Sequence, residues 1–309
     1  AGSGGLIVGS GFTPVVNPNE QTIVIDFVRH GQTNSNAMNL IDTAVPGPPL
    51  NSVGQQQAIN IAGVLAPQGP FAGLFESQLL RTQQTALPLA RIPGMPTPQI
   101  LAGLNEINAG IFEGLPQIPA GILYLVGPFA WTLGFPITPM LTLFSTNPTG
   151  VVFGNGFNSA LQVMYDTAMA NPVHSMAGAG PITDVAFSSA LAIETGTLMT
   201  VDNPNPLLMF THSLPNTGVV VIQGSPAGGW RMISWDGVPV GPPSLPTQLL
   251  VDVRNVITPP QYAAWNIGAS LFTGDPVAVE NAVREGIYGV GSATFSFPTN
   301  VVQNILDAA

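Results

Sequence analysis

An apolar run that stops at an arginine, a histidine and a glycine is the feature that most constrains the fold of this chain. Residues 23–28 read IVIDFV, and this β-branched, largely apolar segment predicts a buried strand. Arg29, His30 and Gly31 follow it directly. Open α/β folds bind their ligands at the carboxyl ends of their strands. The sequence therefore predicts a cation and a nucleophile at such an edge, where Gly31 lets the backbone approach an anion closely.

Charged residues are rare in this chain, so the position of each one is informative. Only 7% of the 309 residues are charged, whereas 45% are hydrophobic. Lysine is absent, and the six cations are Arg29, Arg81, Arg91, Arg231, Arg254 and Arg284. The net charge of −10 provides no basic surface. This composition argues against nucleic acid or anionic lipid as a partner.

Cysteine is absent as well, which excludes disulfides, thiol catalysis and thiolate metal sites. Residues 1–21 form a Gly-rich leader without the basic segment of a signal peptide, and they are predicted to be a linker. No uninterrupted apolar run is long enough to span a bilayer, so no transmembrane segment is predicted.

Proline and glycine divide the rest of the chain into short predicted elements. Helices are predicted at residues 52–65, 80–90, 184–201 and 276–285. Strands are predicted at residues 73–76, 99–101, 207–211, 218–223 and 230–235, the last two as an antiparallel hairpin. Residues 242–309 carry no chemical motif and are predicted to be a C-terminal extension.

Residues 114–165 contain no charged side chain, and the prolines at 116, 119, 128, 136 and 139 are expected to break this stretch into short pieces. The favoured interpretation is a compact apolar insertion that caps the core. The alternatives are a lid over a site for an apolar substrate, or a surface that docks on lipid.

Four separated segments carry residues suited to one ligand. Arg29 and His30 end the first strand, Arg81 opens a predicted helix, Glu106 lies in a loop, and His212 follows a predicted strand. If the two strands that end in histidine are neighbours in a parallel sheet, both imidazoles reach one edge. Two guanidinium groups beside two imidazoles suit a dianionic phosphate, since each charge-assisted hydrogen bond contributes about 1.5–3 kcal/mol. A neutral imidazole attacks phosphorus, and a carboxyl group protonates the leaving oxygen.

Each of these residues also has a structural interpretation, because strand-end histidines, helix arginines and loop glutamates are usually not catalytic. Two of three histidines and two of six arginines nevertheless fall at these turns. The third histidine, His174, has no such setting and is predicted to be structural.

Five blocks in the same order carry a family resemblance. Arg29 to Thr33, with Asn36, resembles the RHGxTxxN motif of the histidine phosphatase superfamily, in its phosphoglycerate mutase-like branch. Further blocks resemble that family at Pro49 to Gly54 with Gln57 and Ala58, at Ser77, Leu79, Arg81 and Gln84 to Ala86, at Leu104, Glu106, Gly110, Glu113 and Gly114, and at His212. The resemblance covers about residues 23–236, and it is weak from 114 to 207.

The resemblance implies a three-layer α/β/α fold with a mostly parallel sheet over residues 22–241. It makes His30 a nucleophile that forms a phosphohistidine and Glu106 the proton donor, with Glu113 as a nearby alternative that only the family pattern disfavours. The residues implied to bind the phosphoryl group are Arg29, Arg81, His212, Asn36, Gly31 and Thr33. No metal and no other cofactor is implied, because arginines and histidines supply the stabilising charge.

One departure is that Ser213, Leu214 and Pro215 follow His212, where the family usually has glycine, and Pro215 has no N–H to offer a phosphate.

The composition also resembles catalytic domains attached to mycobacterial PE-family proteins, which would imply a secreted or cell-envelope location; a cytoplasmic one stays open. The favoured function is a phosphomonoesterase of the histidine acid phosphatase type, acting on a phosphorylated small molecule with an apolar moiety. The alternatives are phosphoglycerate mutase-type phosphoryl transfer and a non-catalytic binding module of the cell envelope.

Overall fold

The computed structural model describes residues 20–171 and 180–309, so most of the leader and His174 lie outside the described residues. The strands are β1 (Ile23–Arg29), β2 (Gly73–Glu76), β3 (Gln99–Ile100), β4 (Thr183–Ser188), β5 (Val219–Ser225), β6 (Gly229–Trp235) and β7 (Val238–Pro239). The helices are α1 (Asn34–Ala37), α2 (Ser52–Leu65), α3 (Leu80–Ala90), α4 (Gln117–Thr132), α5 (Gly150–Ala170), α6 (Ala190–Thr200), α7 (Leu208–Thr211), α8 (Leu245–Leu271) and α9 (Pro276–Ala308).

The strands form one seven-stranded sheet in the order β3-β2-β4-β1-β5-β6-β7. The pairings from β3 through β2 and β4 to β1 are parallel, whereas β5, β6 and β7 are added antiparallel. β1 lies at the centre, with β4 on one side and β5 on the other. The carboxyl ends of β1, β2 and β4 therefore meet at one edge of the sheet, where α/β folds bind ligands.

Alternation along the central strands separates two apolar cores, as expected when helices cover both faces of a sheet. Val28, Leu74 and Phe187 pack with α2 and α3 on one face. Phe27 and Phe75 point to the other face, where they pack with residues of α4, α5 and α6. The predicted three-layer α/β/α arrangement is confirmed.

Several predicted elements near the first strand are confirmed because their signals are local. Helix α2 begins after Asn51, whose side-chain oxygen accepts the Gly54 N–H at 2.9 Å, and it ends before Pro67. Helix α3 and strand β2 have the predicted limits. The predicted hairpin is formed by β5 and β6.

The prediction of one helix over residues 184–201 is wrong. Residues up to Ser188 form β4, and the helix begins at Ala190. β4 is buried between β2 and β1, and its apolar residues 185–187 are consecutive and do not alternate with polar ones. Such a run does not distinguish a buried strand from a buried helix.

The prediction of a buried strand over residues 207–211 is also wrong. Residues 208–211 form the short helix α7, and Leu207, which precedes the helix, is 59% exposed. Both positions beside β1 are already occupied by β4 and β5, and prolines at 204, 206 and 215 flank the segment. No place in the central sheet is left for a strand that ends at His212.

The charge-free stretch is more regular than predicted. Pro128 lies inside α4 without breaking it, whereas Ile118 before Pro119 is non-helical and the prolines at 136, 139 and 148 fall between α4 and α5. Helix α5 covers the sheet and leads to β4, so this part of the stretch belongs to the main core. The helix predicted at residues 276–285 is longer, since α9 continues to Ala308 and packs along α8.

Candidate active site

The carboxyl edge of the parallel strands opens into a cavity of about 330 Å³. Arg29 and His30 at the end of β1 line it, together with Arg81 on α3 and Glu106 in the loop that follows β3. These four residues come from separate parts of the chain, and all were predicted to share one site. The structure thus brings them together, whereas their catalytic roles stay predictions.

His30 is buried, and its hydrogen bonds determine its tautomer. Nδ1 lies 2.7 Å from the Gly31 carbonyl oxygen, which only accepts hydrogen bonds, so Nδ1 carries the proton. The Arg81 guanidinium only donates, and its Nε lies 3.1 Å from His30 Nε2. Nε2 therefore keeps its lone pair. Burial, reinforced by the charges of Arg81 and Arg29, holds the pKa of His30 well below 6.5, so the ring is neutral.

The turn after His30 fits tightly against the start of α2. A Cβ atom added to Gly31 would lie 2.6 Å from the Gly54 carbonyl oxygen, so only glycine fits there. The Gly31 N–H donates to Thr85 Oγ1 at 2.9 Å, and that hydroxyl donates to the Arg81 carbonyl at 2.7 Å. The backbone around His30 is thereby fixed to the helix that carries Arg81.

Arg81 is held from two sides. Its Nη2 donates to the Asp42 carbonyl at 2.9 Å, and Nη1 lies 3.8 Å from Asp42 Oδ1. Nη1 is buried and makes no protein hydrogen bond among the described residues.

Arg29 anchors the opposite wall through the Leu214 carbonyl, which accepts from its Nη1 at 2.6 Å. Its Nε is buried without a protein partner in the described part of the chain. No ion pair within 4 Å joins Arg29 to a carboxylate among these residues. Both guanidinium groups thus retain unused donors, as an anion-binding site requires.

Glu106 is half-buried at the beginning of α6. Its carboxylate accepts the N–H groups of Ile107 at 2.9 Å, Ala192 at 2.7 Å and Leu191 at 3.2 Å. Burial raises the pKa of Glu106 above 4.5, although these hydrogen bonds and Arg81 oppose the shift. Glu113 does not line the cavity; it accepts the Thr43 N–H at 2.8 Å. The geometry therefore favours Glu106 over Glu113 as the acid.

The three other phosphate-binding candidates have different positions. Asn36 lines the cavity, and its Oδ1 accepts from the Asn216 side chain at 3.3 Å. Thr33 is buried and caps α1 by reciprocal hydrogen bonds with Asn36. Neither Thr33 nor Gly31 lines the cavity, so both support the turn.

His212, like Thr33 and Gly31, does not line the cavity. It is exposed and lies outside the cavity lining, with its Nδ1 2.9 Å from Thr211 Oγ1. The parallel neighbour of β1 is β4, which ends in Ser188, and Ser189 follows it. The edge therefore carries serine where a second strand-end histidine was expected.

Three ionisable residues in the cavity wall were not predicted as site residues: Asp42, Tyr124 and Glu194. Tyr124 on α4 donates to the Ile107 carbonyl, and Glu194 on α6 accepts the Leu214 N–H at 2.7 Å. Both sit inside helices and outside any motif. Glu194 could have been predicted only if the residues of β4 had been assigned to a strand, because α6 and Glu194 follow the end of that strand. Among the described residues, no group of three His, Cys, Asp or Glu side chains is arranged to hold a metal.

Family comparison agrees with this arrangement. Residues 25–121 match the family model of the histidine phosphatase superfamily (branch 1), which confirms the resemblance over that stretch. Two solved structures share the fold. One is mycobacterial hydrolase 1, with a TM-score of 0.57, 18% identity and coverage of 71% of this chain and 100% of that one. The other is the mycobacterial glucosyl-3-phosphoglycerate phosphatase in complex with VO3, with a TM-score of 0.55, 19% identity and coverage of 69% and 98%.

Among curated proteins, the PE-PGRS family protein PE_PGRS11 of Mycobacterium tuberculosis is 64% identical over 291 residues, which is 94% of this chain and 49% of that protein. A metal-independent phosphoserine phosphatase of Arabidopsis thaliana is 34% identical over 91 residues, which is 29% of this chain and 38% of that protein. This chain thus spans about half, or less, of the length of the curated relatives it matches. No helix in the described residues is long and apolar enough to cross a membrane.

Proposed function

We propose that this chain is a phosphomonoester hydrolase that acts through a phosphohistidine at His30. The observation that carries the proposal is the neutral imidazole of His30, which lines the cavity with Arg29 and Arg81 and carries its lone pair on Nε2, beside Arg81 Nε. Guanidinium groups bind phosphate oxygens and stabilise the charge of the transition state. Two similar proteins are named as phosphatases, which supports hydrolysis of a phosphate ester.

The reaction has two displacement steps at phosphorus. In the first, His30 Nε2 forms a bond to phosphorus while the bond to the leaving oxygen breaks, and Glu106 donates its proton to that oxygen. In the second, water attacks the phosphohistidine, its proton returns to Glu106, and the bond between nitrogen and phosphorus breaks. Inorganic phosphate leaves, and both residues regain their initial states. Arg29 and Arg81 bind the phosphoryl oxygens throughout.

The supply of cations favours hydrolysis over mutase-type transfer. A mutase must hold the carboxylate and second phosphate of phosphoglycerate, but among the described residues Arg29 and Arg81 are the only cationic side chains in the cavity lining. The remaining arginines are engaged or lie elsewhere: Arg231 pairs with Asp202, Arg284 pairs with Glu280, Arg254 donates to carbonyls of residues 198 and 201, and Arg91 ends α3.

The other wall of the cavity is apolar and suggests the substrate class. Ile118, Ile122 and Leu125 of α4 line it, and Ile118 is 79% exposed at the surface. We infer a preference for phosphate esters with an apolar alcohol. The export implied by the PE-family resemblance stays a prediction.

Phosphate release from alkyl phosphates tests the function. Arg29→Ala and Arg81→Ala each remove a guanidinium from a buried dianion, so kcat/KM should fall by about 100-fold or more. Arg91→Ala is the matched control, because Arg91 is exposed and lies outside the cavity. Transfer of phosphate between phosphoglycerates without release would favour the mutase, and phosphate binding without turnover would favour a binding module.

A further inference from the structure

The cavity contains one carboxyl group for which the proposed reaction has no use. Asp42, Glu106 and Glu194 all line it, facing Arg29 and Arg81. Asp42 accompanies Arg81, and Glu106 is the candidate acid. Glu194 has neither role, although it is 3% exposed and thus among the most buried charged side chains of the molecule.

Glu194 stands close to the place where a second imidazole was expected. β4 is the parallel neighbour of β1, and the His30 N–H donates to the Ser188 carbonyl at 3.0 Å. Ser189, the next residue, has a buried hydroxyl without a protein partner in the described residues and does not line the cavity. Helix α6 begins directly after it and carries Glu194 into the cavity wall. The side of the edge that lacks histidine therefore has a carboxyl group instead.

One residue holds both Glu194 and Arg29. The Leu214 N–H donates to Glu194 Oε1 at 2.7 Å, and the Leu214 carbonyl accepts from Arg29 Nη1 at 2.6 Å. The two side chains nevertheless form no ion pair within 4 Å among the described residues. With one oxygen of Glu194 occupied by Leu214, the other oxygen remains for a proton and a ligand.

The charges in the cavity favour a proton on Glu194 as well as on Glu106, the candidate acid. With Glu106 protonated, Asp42 and an ionised Glu194 would cancel Arg29 and Arg81, so no net positive charge would remain to bind a phosphate dianion. Burial, together with the nearby charge of Glu106, raises the pKa of Glu194 to about 8, although the Leu214 hydrogen bond and Arg29 oppose the shift. Glu194 is therefore neutral at pH 7.

Few charged groups act on Glu194. Arg29 faces it from β1, Glu106 from the loop after β3, and Tyr124 lines the same cavity from α4. The segment at residues 213–214 contributes only a backbone N–H. At the far side of α6, Arg231 of β6 pairs with Asp202, and Arg254 of α8 binds carbonyls at the carboxyl end of the helix.

We propose that protonated Glu194 donates a hydrogen bond to the phosphoryl group held by Arg29 and Arg81, at the edge position that has no second imidazole. The inference rests on the proposed function for the identity of the ligand. At a pH above its pKa, the Glu194 carboxyl group is an anion, so it no longer donates a hydrogen bond to the phosphate but repels it.

Calorimetric titration of the full chain with inorganic phosphate between pH 6.5 and 9.5 tests this proposal. Glu194→Gln retains an oxygen for the Leu214 N–H and an N–H₂ donor for phosphate at every pH. Dividing the wild-type Kd by that of Glu194→Gln cancels the ionisation of phosphate itself. We expect this ratio to be near one up to pH 7.5 and to rise by about tenfold per pH unit above pH 8.

Asp184→Asn is the matched control, because Asp184 is fully buried, its pKa is also raised to about 8 by burial, and it lines no part of this cavity. Its phosphate Kd should follow the wild type at every pH. A ratio that does not change with pH, or an equal change in Asp184→Asn, would overturn the proposal. Because calorimetry requires no turnover, a chain that binds phosphate with this profile but does not hydrolyse esters would refute only the proposed function.

Discussion

Among single residues, Glu106 supplies the proton that the proposed reaction needs, and Glu113 is its nearest rival. An alkoxide leaving group requires that proton, whereas p-nitrophenolate hardly does. We expect Glu106→Gln to lower kcat/KM for an alkyl phosphate by about 100- to 1000-fold, and that for p-nitrophenyl phosphate by less than about tenfold. Glu113→Gln should affect the two substrates equally and weakly, since Glu113 binds Thr43 outside the cavity.

Steady-state hydrolysis of both esters at pH 6 measures this difference. Equal losses on the two substrates in Glu106→Gln would assign the proton to another group of the cavity wall, such as Glu194.

Local signals made part of this site predictable from the sequence. His30 and Arg29 follow a strand whose apolar run is unmistakable, and Arg81 opens a helix with clear limits. His212 was misplaced because its location depended on which strand lies beside β1, and that choice is made by pairing across the whole sheet. Glu194 was missed for the same reason, since its position follows only once β4 has been assigned as a strand.

At the scale of elements, α4 sets the apolar character of the cavity. Ile122 lines the cavity and is 62% exposed, whereas its neighbour Leu123 is 45% exposed and does not line it. Losing contact with an apolar chain costs about 1 kcal/mol. We therefore expect Ile122→Asn to lower the preference for octyl over ethyl phosphate, as the ratio of kcat/KM values, by about fivefold.

Leu123→Asn provides the control on the same helix and should leave that preference unchanged. If Ile122→Asn has no effect on the ratio, or if both variants change it equally, α4 serves packing and does not select the substrate.

Helix boundaries at this scale were less predictable than helix positions. The proline at 128 lies inside α4, where a break was expected, because the helix is held by buried residues such as Trp131 and Tyr124 on its inner face. Packing of this kind outweighs local propensity, and a sequence pattern does not contain it. The length of α9 was likewise underestimated, since α9 is supported along α8.

For the whole molecule, buried carboxyl groups make stability depend on pH. Asp184 lies in the centre of the sheet, and neither carboxyl oxygen has a protein partner among the described residues. Burial raises its pKa from 3.8 to about 8. Between these values the folded state holds a proton that the unfolded state has lost, so its contribution to stability falls as pH rises from about 4 to about 8.

Asp184→Asn removes this contribution. Its free energy of unfolding should exceed that of the wild type by on the order of 2–4 kcal/mol at pH 9, and the gain should vanish near pH 4. Urea denaturation at both pH values measures the difference, with the exposed Asp166→Asn as control. A gain that is the same at both values would mean that Asp184 is ionised in the folded protein.

The nucleophile is tested most directly by trapping the intermediate. After rapid acid or base quenching of the full chain with a phosphate ester labelled at phosphorus, we expect an adduct on His30 that is labile in acid and stable in base. His30→Ala should abolish the adduct, and His212→Ala should retain it, because His212 is exposed outside the cavity. An adduct that persists in His30→Ala, or one that maps to a serine, would contradict the central claim that His30 Nε2 attacks phosphorus.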